Sequence, residues 1–330
     1  MILMIVSRTP LRLPLGGGGT DLPSYYGKHS GSLFSVAINK YVHVIVNRNF
    51  DRRIKASYSK IEVVDRLEEI KHPLVREGLR HMGITEGVEI FSMADAPANT
   101  GLGSSSAYCV GLLNALYTYK RKAVSPQTLA EDACKIEIEI LGEPIGKQDQ
   151  YMAAFGGLTK LDIDKSGRVA VTSPSLSRET LEALEGNLLM FYTGFQRSAS
   201  DVLKEQNEST KRDESEVVES LHRIKDIGAR LCKALESGEV GKTGPLFHEH
   251  WLAKRGLSHK VTNPAIDELY EIGLKNGSSG GKLIGAGGGG FIVFYCEAEK
   301  ARLRKAMAAK NAPEFSFKFD FEGSKIMFNS

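Results

Sequence analysis

The first half of the chain alternates between short apolar segments and longer segments with helical spacing. The short segments predict strands at residues 2–8, 11–15, 31–38, 41–49 and 88–93. A weaker alternation predicts a further strand region at 54–64 that pairs with them. Helical spacing predicts helices at residues 67–82, 105–119 and 126–141. A break at 142–147 precedes a short helix ending at Gly156-Gly157, and a hairpin is expected around 164–167.

Beyond residue 185 the pattern changes to long amphipathic helices with few strands. It predicts helices at residues 199–206, 215–237, 242–257, 264–276 and 299–311. Strands are expected at 188–192 and 291–296, with a strand-rich tail at 315–328. The polar segment 207–220 is the candidate for a mobile loop.

Strands and helices are clustered along the chain rather than alternating one by one. This order favours an α+β fold over a doubly wound parallel sheet. A chain of 330 residues holds one large or two ordinary domains. We expect two domains side by side, residues 1–185 and 186–330.

Composition narrows the classes of partner. The net charge is +3 and no block of five or six like charges occurs, so nucleic-acid binding is not indicated. No apolar stretch approaches the roughly 18–20 residues that cross a bilayer, and the N-terminal apolar run is too short for a signal peptide. We therefore expect a cytoplasmic protein with no membrane partner, as a monomer or homodimer.

Cysteine and histidine positions indicate no metal site. The cysteines lie far apart in apolar surroundings, which predicts buried reduced thiols at Cys109, Cys134, Cys232 and Cys296. His248 and His250 flank a glutamate, and we expect both on an ordinary helix surface.

Residues 97–107 read Pro-Ala-Asn-Thr-Gly-Leu-Gly-Ser-Ser-Ser-Ala and lead into a predicted helix. Gly101 and Gly103 allow a tight turn, and the helix N-terminus offers unpaired amides to an anion. The alternative is a strand-to-helix turn with serine caps, although a cap needs only one serine. The loop predicts a cradle for a nucleotide triphosphate, and thus phosphoryl transfer.

Two carboxylates are candidates for the chemistry that a triphosphate requires. Glu137, one turn before the predicted helix end at Gly142, is placed to hold a divalent cation. Asp149 lies in the break after that helix and is placed to take a proton from an acceptor hydroxyl. A solvated acidic face including Glu139, and an N-cap role for Asp149, remain the alternatives.

A second glycine-rich segment, residues 16–19, precedes Thr20 and Asp21. The glycines allow close approach by a ligand, and Asp21 offers two oxygens to a sugar diol. An Asx-turn before Pro23 is the alternative. Arg12, on the preceding strand, carries a fixed charge suited to a transferring phosphoryl group, unless it lies on the surface.

Together these segments resemble the GHMP kinases, the superfamily of galactokinase, homoserine kinase, mevalonate kinase and phosphomevalonate kinase. Three motifs follow the family order, at residues 10–21, 97–107 and 282–291. Residues 8–12 together with 16–25, and the stretch 136–157, resemble the sugar-1-kinase branch. The resemblance implies an N-terminal domain like ribosomal protein S5 domain 2, a ferredoxin-like C-terminal domain, and an active site between them.

The resemblance also implies roles for individual residues. Asp149 and Arg12 would be catalytic, and Ser105 and Glu137 would hold Mg²⁺, with the choice of Glu137 over Glu139 left open. ATP would be bound by Pro97, Asn99, Gly101, Leu102, Gly103, Ser104, Ser105 and Ser106. The acceptor would be bound by Gly18, Thr20, Asp21, Lys147, Gln148, Arg197, Gly287 and Gly288.

Within that branch the expected acceptor is a small-molecule sugar phosphate, D-glycero-D-manno-heptose 7-phosphate, phosphorylated at its anomeric hydroxyl. Its phosphate requires a second anion site, for which Lys147 and Arg197 are the candidates. An unphosphorylated sugar such as L-fucose or galactose is the alternative acceptor. A non-catalytic regulator with the same fold is disfavoured, because Asp149 is retained.

Overall fold

A computed structural model describes residues 4–196, 199–212 and 214–330. Its strands are β1 (Met4–Gly16), β2 (Gly31–Arg48), β3 (Ile54–Ser57), β4 (Ile61–Val64), β5 (Val88–Ala94), β6 (Leu158–Ile163), β7 (Val169–Thr172), β8 (Leu188–Tyr192), β9 (Gly280–Leu283), β10 (Phe291–Tyr295) and β11 (Lys325–Asn329). Its α-helices are α1 (Pro23–His29), α2 (Pro73–His81), α3 (Ser104–Tyr119), α4 (Pro126–Cys134), α5 (Gln148–Phe155), α6 (Arg178–Asn187), α7 (Ala199–Lys211), α8 (Ser215–Glu236), α9 (Thr243–Arg255), α10 (Pro264–Lys275) and α11 (Lys300–Ala308).

The larger sheet is built around β1 and β2, which pair antiparallel over most of their length. On its other side β2 pairs with β5 and with β6, so it is the central strand. The remaining strands extend this sheet to the order β11-β1-β2-β5-β3-β4, with β7 beside β6. The apolar α3 packs against both β1 and β2, which brings the loop before α3 to the end of the central strands.

The smaller sheet has the order β8-β10-β9, and all of its pairs are antiparallel. Its core contains the buried aromatic side chains Phe191, Trp251, Tyr270 and Phe294. Helix α9 packs on β9, and α8 packs on α9 and on the larger sheet. The α+β class predicted from the sequence is confirmed.

The chain returns to the larger sheet at its end, because β11 pairs with β1. Residue Phe319 also forms an isolated bridge with Ile38 of β2. The boundary between residues 185 and 186 stays a prediction, and residues 318–320 and 325–329 bond to the larger sheet. Of the predicted strand-rich tail, only β11 forms a continuous strand.

Two strands are longer than the sequence predicts. Pro10 does not end the first strand, because the register between β1 and β2 shifts there and the missing proline amide falls at an irregularity. The same shift absorbs Asn39 and Lys40, so β2 runs unbroken from Gly31–Arg48. The region 54–64 forms a hairpin whose first strand pairs parallel with β5.

Several predicted helices differ in extent. The segment 67–82 is a 3-10 turn, Leu67–Glu69, followed by α2, because Pro73 starts a helix rather than continuing one. The segment 126–141 changes after Cys134 into a π-helix, Lys135–Ile140. Helix α6 was not predicted. Most of the segment 207–220, expected as a mobile loop, is helical, since α7 extends to Lys211 and α8 begins at Ser215. Residue 213 lies outside the described residues.

All four cysteines are buried and free, as predicted. Within the described part of the chain, no helix combines the length and the apolar character that a bilayer crossing needs. The predicted compartment and oligomeric state stay predictions.

Candidate active site

A cavity of about 330 Å³ lies where the ends of the two sheets meet. The turn after β1, the loop before α3, the start of α5 and the loop after β9 all contribute to its wall. Of the predicted site residues, the cavity is lined by Arg12, Gly18, Asp21, Asn99, Gly101, Gly103, Ser104, Ser105, Ser106, Glu137, Gln148 and Asp149. Predicted site residues that are up to 137 positions apart in the sequence, Arg12 and Asp149, therefore line the same cavity.

The loop before α3 has the backbone conformation that its glycines predict. Gly101 and Gly103 have φ of 82° and 76°, and Asn99 has φ of 60°. Gly103 is the N-cap residue of α3, and no described side chain caps this helix. The serine-cap alternative is therefore wrong. The first amides of α3 remain available to an anion, together with the positive end of the helix dipole.

The third glycine-rich motif supports this loop from behind. A Cβ on Gly101 would lie 2.6 Å from the carbonyl oxygen of Ile284, and one on Gly290 would lie 2.2 Å from that of Thr100. Gly285 packs against Gly101 in the same way. The two loops are therefore in backbone contact, which side chains at these positions would prevent.

Arg12 fixes the position of Asp149. Its Nε and Nη2 lie 2.8 Å and 2.6 Å from Oδ1 of Asp149. Its Nη1 donates to the carbonyl oxygen of Gly101, and its backbone amide donates to that of Leu102 at 3.2 Å. Arg12 is buried, so the surface alternative is wrong. One guanidinium thereby connects the phosphate loop to the carboxylate.

Asp149 lies in the first turn of α5, and Lys147 is the N-cap residue of that helix. The N-cap alternative for Asp149 is therefore wrong. Its side chain is 26% exposed, in contrast to its arginine partner. The carboxylate is thus held firmly through Oδ1 and accessible to a ligand from the cavity.

Glu137 is carried into the cavity by the π-helix, in which Leu141 donates to the carbonyl of Ile136, five residues earlier. Its Oε1 accepts a hydrogen bond from Ser105 at 3.3 Å, and its Oε2 accepts one from Gln150 at 2.7 Å. Glu139 is exposed and lies outside the cavity wall. Of the two candidates, the structure brings only Glu137 to the phosphate loop.

Burial raises the pKa of Glu137 to about 7, and hydrogen bonds from Ser106 and Gln150 oppose the shift. The negative charge of Asp149 adds to it. Its side chain is only 1% exposed, and no described lysine or arginine forms an ion pair with it. A buried carboxylate without a basic partner is suited to a bound cation.

Asp21 is held in the turn after β1 by two backbone amides. Gly19 donates to Oδ1 at 3.1 Å and Gln148 donates to Oδ2 at 3.0 Å, so the Asx-turn alternative before Pro23 is wrong. Burial raises the pKa of this carboxyl group, and the amide of Gln148 opposes the shift. A Cβ on Gly146 would lie 2.0 Å from Oδ2, so glycine is required there.

Several predicted binding residues do not reach the cavity. Lys147 donates to the carbonyl of Gly167 at 2.6 Å, which turns its ammonium group away and corrects the expectation of an anion site there. Leu102 is buried, Pro97 is exposed beside the loop, and Thr20 bonds to the carbonyl of Gly17. Gly287 and Gly288 pack on Val261 instead. Arg197 lies outside the described residues.

Three basic residues of the cavity were not predicted, namely His250, Lys254 and Lys282. His250 is buried, so its expected place on the helix surface is wrong. His250 and Lys254 are four residues apart, so both side chains lie on one face of α9. This spacing is the feature of the sequence that could have indicated them as site residues. Burial lowers the pKa of Lys254 to about 7. Burial also lowers the pKa of Lys282 well below its usual range, and the positive charge of Lys254 adds to the shift.

Comparison with known proteins identifies the family. The GHMP kinases N terminal domain matches residues 64–157, and the GHMP kinases C terminal domain matches residues 231–313. Together the two matches cover more than half of the chain. The chain belongs to the GHMP kinases, a family of ATP-dependent enzymes, as the sequence predicted.

Individual relatives align over nearly the whole chain. The chain is 28% identical to D-glycero-alpha-D-manno-heptose 7-phosphate kinase of Campylobacter jejuni, over 97% of this chain and 98% of the relative. It is 26% identical to the bifunctional fucokinase/GDP-fucose pyrophosphorylase of Arabidopsis thaliana, over 94% of this chain but 31% of that protein. A crystal structure of a D-glycero-D-manno-heptose 1-phosphate kinase from Bacteroides thetaiotaomicron has a TM-score of 0.82 at 24% identity, covering 98% of this chain and 99% of that one. The two-domain GHMP architecture is thereby confirmed.

Proposed function

We propose that this protein is a sugar-1-kinase that transfers the γ-phosphoryl group of ATP to the anomeric hydroxyl of D-glycero-D-manno-heptose 7-phosphate, giving the 1,7-bisphosphate. The observation that carries the proposal is that the uncapped start of α3 and the carboxylate of Asp149 face one cavity. The nature of the acceptor is supported by the similarity to the Campylobacter relative over both full lengths.

The donor side of the cavity is the loop before α3. The first amides of this helix and the hydroxyl groups of Ser104, Ser105 and Ser106 would bind the phosphates of ATP. Arg12, placed between this loop and Asp149, carries a positive charge next to the path of the transferred group.

The residues fit a magnesium ion at the edge of this loop. Glu137 and the hydroxyl of Ser105 are 3.3 Å apart, and the glutamate is buried without a basic partner. The described residues hold no group of three His, Cys, Asp or Glu that suits a metal. Mg²⁺ in kinases commonly takes one or two carboxylates together with substrate phosphates. When bound, the ion would offset charge on the β- and γ-phosphate oxygens.

The acceptor side is the turn that presents Asp21 and the start of α5. Asp21 would accept hydrogen bonds from sugar hydroxyl groups. Asp149 would accept the proton of the anomeric hydroxyl as its oxygen forms a bond to the γ-phosphorus. The bond between that phosphorus and the β,γ-bridging oxygen breaks, and ADP leaves with the bonding electrons.

The second candidate acceptor is an unphosphorylated sugar of the L-fucose or galactose type. The alignment with the Arabidopsis fucokinase covers 94% of this chain, and a galactokinase of Pyrococcus furiosus is 26% identical over 77% of it. The contacts of Asp21 suit a sugar diol in either case.

A panel of sugars and sugar phosphates in a coupled ADP assay tests the proposal, with NMR of the product to locate the new phosphate. We expect heptose 7-phosphate to be turned over with the highest kcat/KM and phosphorylated at C1. Asp149→Asn should lower kcat by about 10²–10⁴-fold while ATP binding is retained. Asp226→Asn, on the exposed face of α8, is the matched control. Absence of ADP formation with heptose 7-phosphate, or unchanged turnover in Asp149→Asn, would contradict the proposal.

A further inference from the structure

Three basic side chains from the C-terminal half line the deep wall of the cavity. His250 and Lys254 lie one turn apart on α9, and Lys282 lies on β9 beside them. Their exposed fractions are 4%, 7% and 1%. We call these three residues the cationic cluster. No step of the proposed phosphoryl transfer uses these three side chains.

The two lysines of the cluster have hydrogen-bond partners but no charge partner. Lys254 donates to the carbonyl of Leu283 at 2.9 Å and to that of Gly285. Lys282 donates to the carbonyl of Leu15 at 2.7 Å. Among the described residues, no carboxylate forms an ion pair with either ammonium group. Carbonyl groups satisfy the N–H donors, but burial lowers the pKa of both lysines, so a bound anion is what would favour their charged forms.

His250 supplies an independent indication of a ligand. It is buried and lines the cavity, but neither ring nitrogen has a hydrogen-bond partner among the described residues. The Nε2 of Gln206, on α7, lines the same cavity and is likewise buried without a partner in the described part of the chain. Buried polar groups are almost always hydrogen-bonded, so two unpartnered groups on residues that line one cavity indicate a polar partner that the protein itself does not supply.

The hydrogen bond of Lys282 places this member of the cluster near the turn that presents Asp21, on the acceptor side of the cavity. Leu15, whose carbonyl it binds, precedes the glycine turn that presents Asp21. Lys254 binds Gly285, which packs behind the phosphate loop. The start of α3 already offers amides to the donor phosphates, which leaves the cluster available to a second anion.

We propose that the cationic cluster binds the phosphate group of the acceptor and makes the enzyme selective for phosphorylated sugars. The inference rests on the proposed function for the identity of the acceptor. It assigns the second anion site to His250, Lys254 and Lys282, in place of the Lys147 site expected from the sequence. An unphosphorylated acceptor would bring no counter-charge to the cluster, so discrimination arises from buried basic groups whose charged forms are favoured only beside an anion.

Kinetics with a pair of acceptors tests the proposal. The variants are Lys254→Met and His250→Gln, and the substrates are D-glycero-D-manno-heptose and its 7-phosphate. Each variant should lower kcat/KM for the phosphorylated sugar by about tenfold to a hundredfold, the effect of losing a charged hydrogen bond. The value for the free sugar and the KM for ATP should change less than about threefold. An equal loss on both sugars, or a raised KM for ATP, would overturn the assignment.

Matched controls exist for both side chains. Lys225 on α8 also donates to two backbone carbonyls, those of His29 and Ser30, but lies outside the cavity. His248 is on the same helix as His250 and bonds to the hydroxyl of Tyr270. Lys225→Met and His248→Gln should keep the preference for the phosphorylated sugar. Because His250 has no partner to lose, His250→Gln carries the test if Lys254→Met does not fold.

A binding measurement separates failure of this inference from failure of the proposed function. Inorganic phosphate is titrated calorimetrically into the protein saturated with a non-hydrolysable ATP analogue and Mg²⁺. Binding that is lost in His250→Gln and Lys254→Met, but kept in both controls, supports the cluster even if heptose 7-phosphate is not turned over. Absence of phosphate binding, or equal binding in all variants, rejects the cluster whatever the acceptor.

Discussion

Gly103 lies against Asp149, such that a Cβ atom on Gly103 would be 3.0 Å from Oδ2 and 3.1 Å from Cγ of the carboxylate. The loop that is suited to the donor and the side chain that is suited to the acceptor hydroxyl are therefore in contact. In-line transfer needs such closeness, because the reacting atoms must approach to about 3–3.5 Å. The absence of a side chain at residue 103 makes this contact possible.

The variant Gly103→Ala tests this relationship. The added methyl group would force the Asp149 carboxylate to shift by a few tenths of an ångström. We expect kcat to fall by about tenfold, which is less than the roughly 10²-fold effect of a 1 Å misplacement. Gly83→Ala is the control, because Gly83 also has a positive φ of 63°, but no atom of the described residues lies within 4 Å of its Cβ position. Both variants should lose roughly 1–2 kcal/mol of stability from the backbone conformation. Similar kcat values in the two variants would contradict the role of the contact.

The raised pKa of Glu137 predicts how magnesium activation depends on pH. The carboxylate must be ionised to bind Mg²⁺, and with a pKa of about 7 it is increasingly protonated below that value. The Mg²⁺ concentration for half-maximal activity should therefore rise by about tenfold per pH unit below pH 7. It should be nearly constant above pH 8.

Two glutamine variants make this measurement specific. Glu137→Gln should need more Mg²⁺ at every pH and lose the pH dependence, whereas the exposed Glu139→Gln should behave like the wild type. Without the metal, the native state binds the extra proton, so the contribution of Glu137 to the free energy of unfolding should rise as pH falls from 7 towards 4.5. The difference between the wild type and Glu137→Gln measures this contribution. A wild-type Mg²⁺ requirement that does not vary between pH 6 and 8 would exclude Glu137 as the ligand.

Contact between the two glycine-rich loops predicts that the third motif controls ATP binding. A Cβ on Gly285, where φ is 73°, would lie 2.4 Å from the Cα of Gly101, and neither backbone can yield easily. Gly285→Ala should destabilise the protein by about 1–3 kcal/mol and raise the KM for ATP. Thermal unfolding and ATP titration measure the two effects, with Gly83→Ala again as control. An unchanged KM for ATP in Gly285→Ala would show that contact between the two loops does not affect ATP binding.

Local patterns were sufficient to predict much of the fold. The apolar segments of β1, β2, β5 and β8, and the glycine-serine loop followed by α3, carry signals within ten or twenty residues. Such patterns are most informative in long elements, such as β1 and β2. The donor loop, Asp149 and Asp21 were predicted because their residue types and spacing suit a definite chemistry.

Features that depend on tertiary contacts were not accessible in the same way. The π-helix that carries Glu137 inward has no distinct local pattern, so the choice against Glu139 could not be made from the sequence. Lys147 carries the same charge as Lys254, but only packing decides that one contacts Gly167 and the other lines the cavity. The cationic cluster joins α9 to β9, and its members are separated by some thirty residues.

The fork of Arg12 predicts that its geometry, and not only its charge, supports catalysis. Two of its nitrogens lie on one oxygen of Asp149 while the third binds the carbonyl of Gly101. A lysine keeps the charge but cannot make the three contacts from one planar group. Arg12→Lys should therefore lower kcat by about 10²-fold, in the range measured when one transition-state hydrogen bond is removed. Arg8→Lys is the control, since Arg8 lies on the same strand and pairs with Glu322 at 2.9 Å instead. Steady-state kinetics at saturating ATP would show full activity in both lysine variants if charge alone were sufficient.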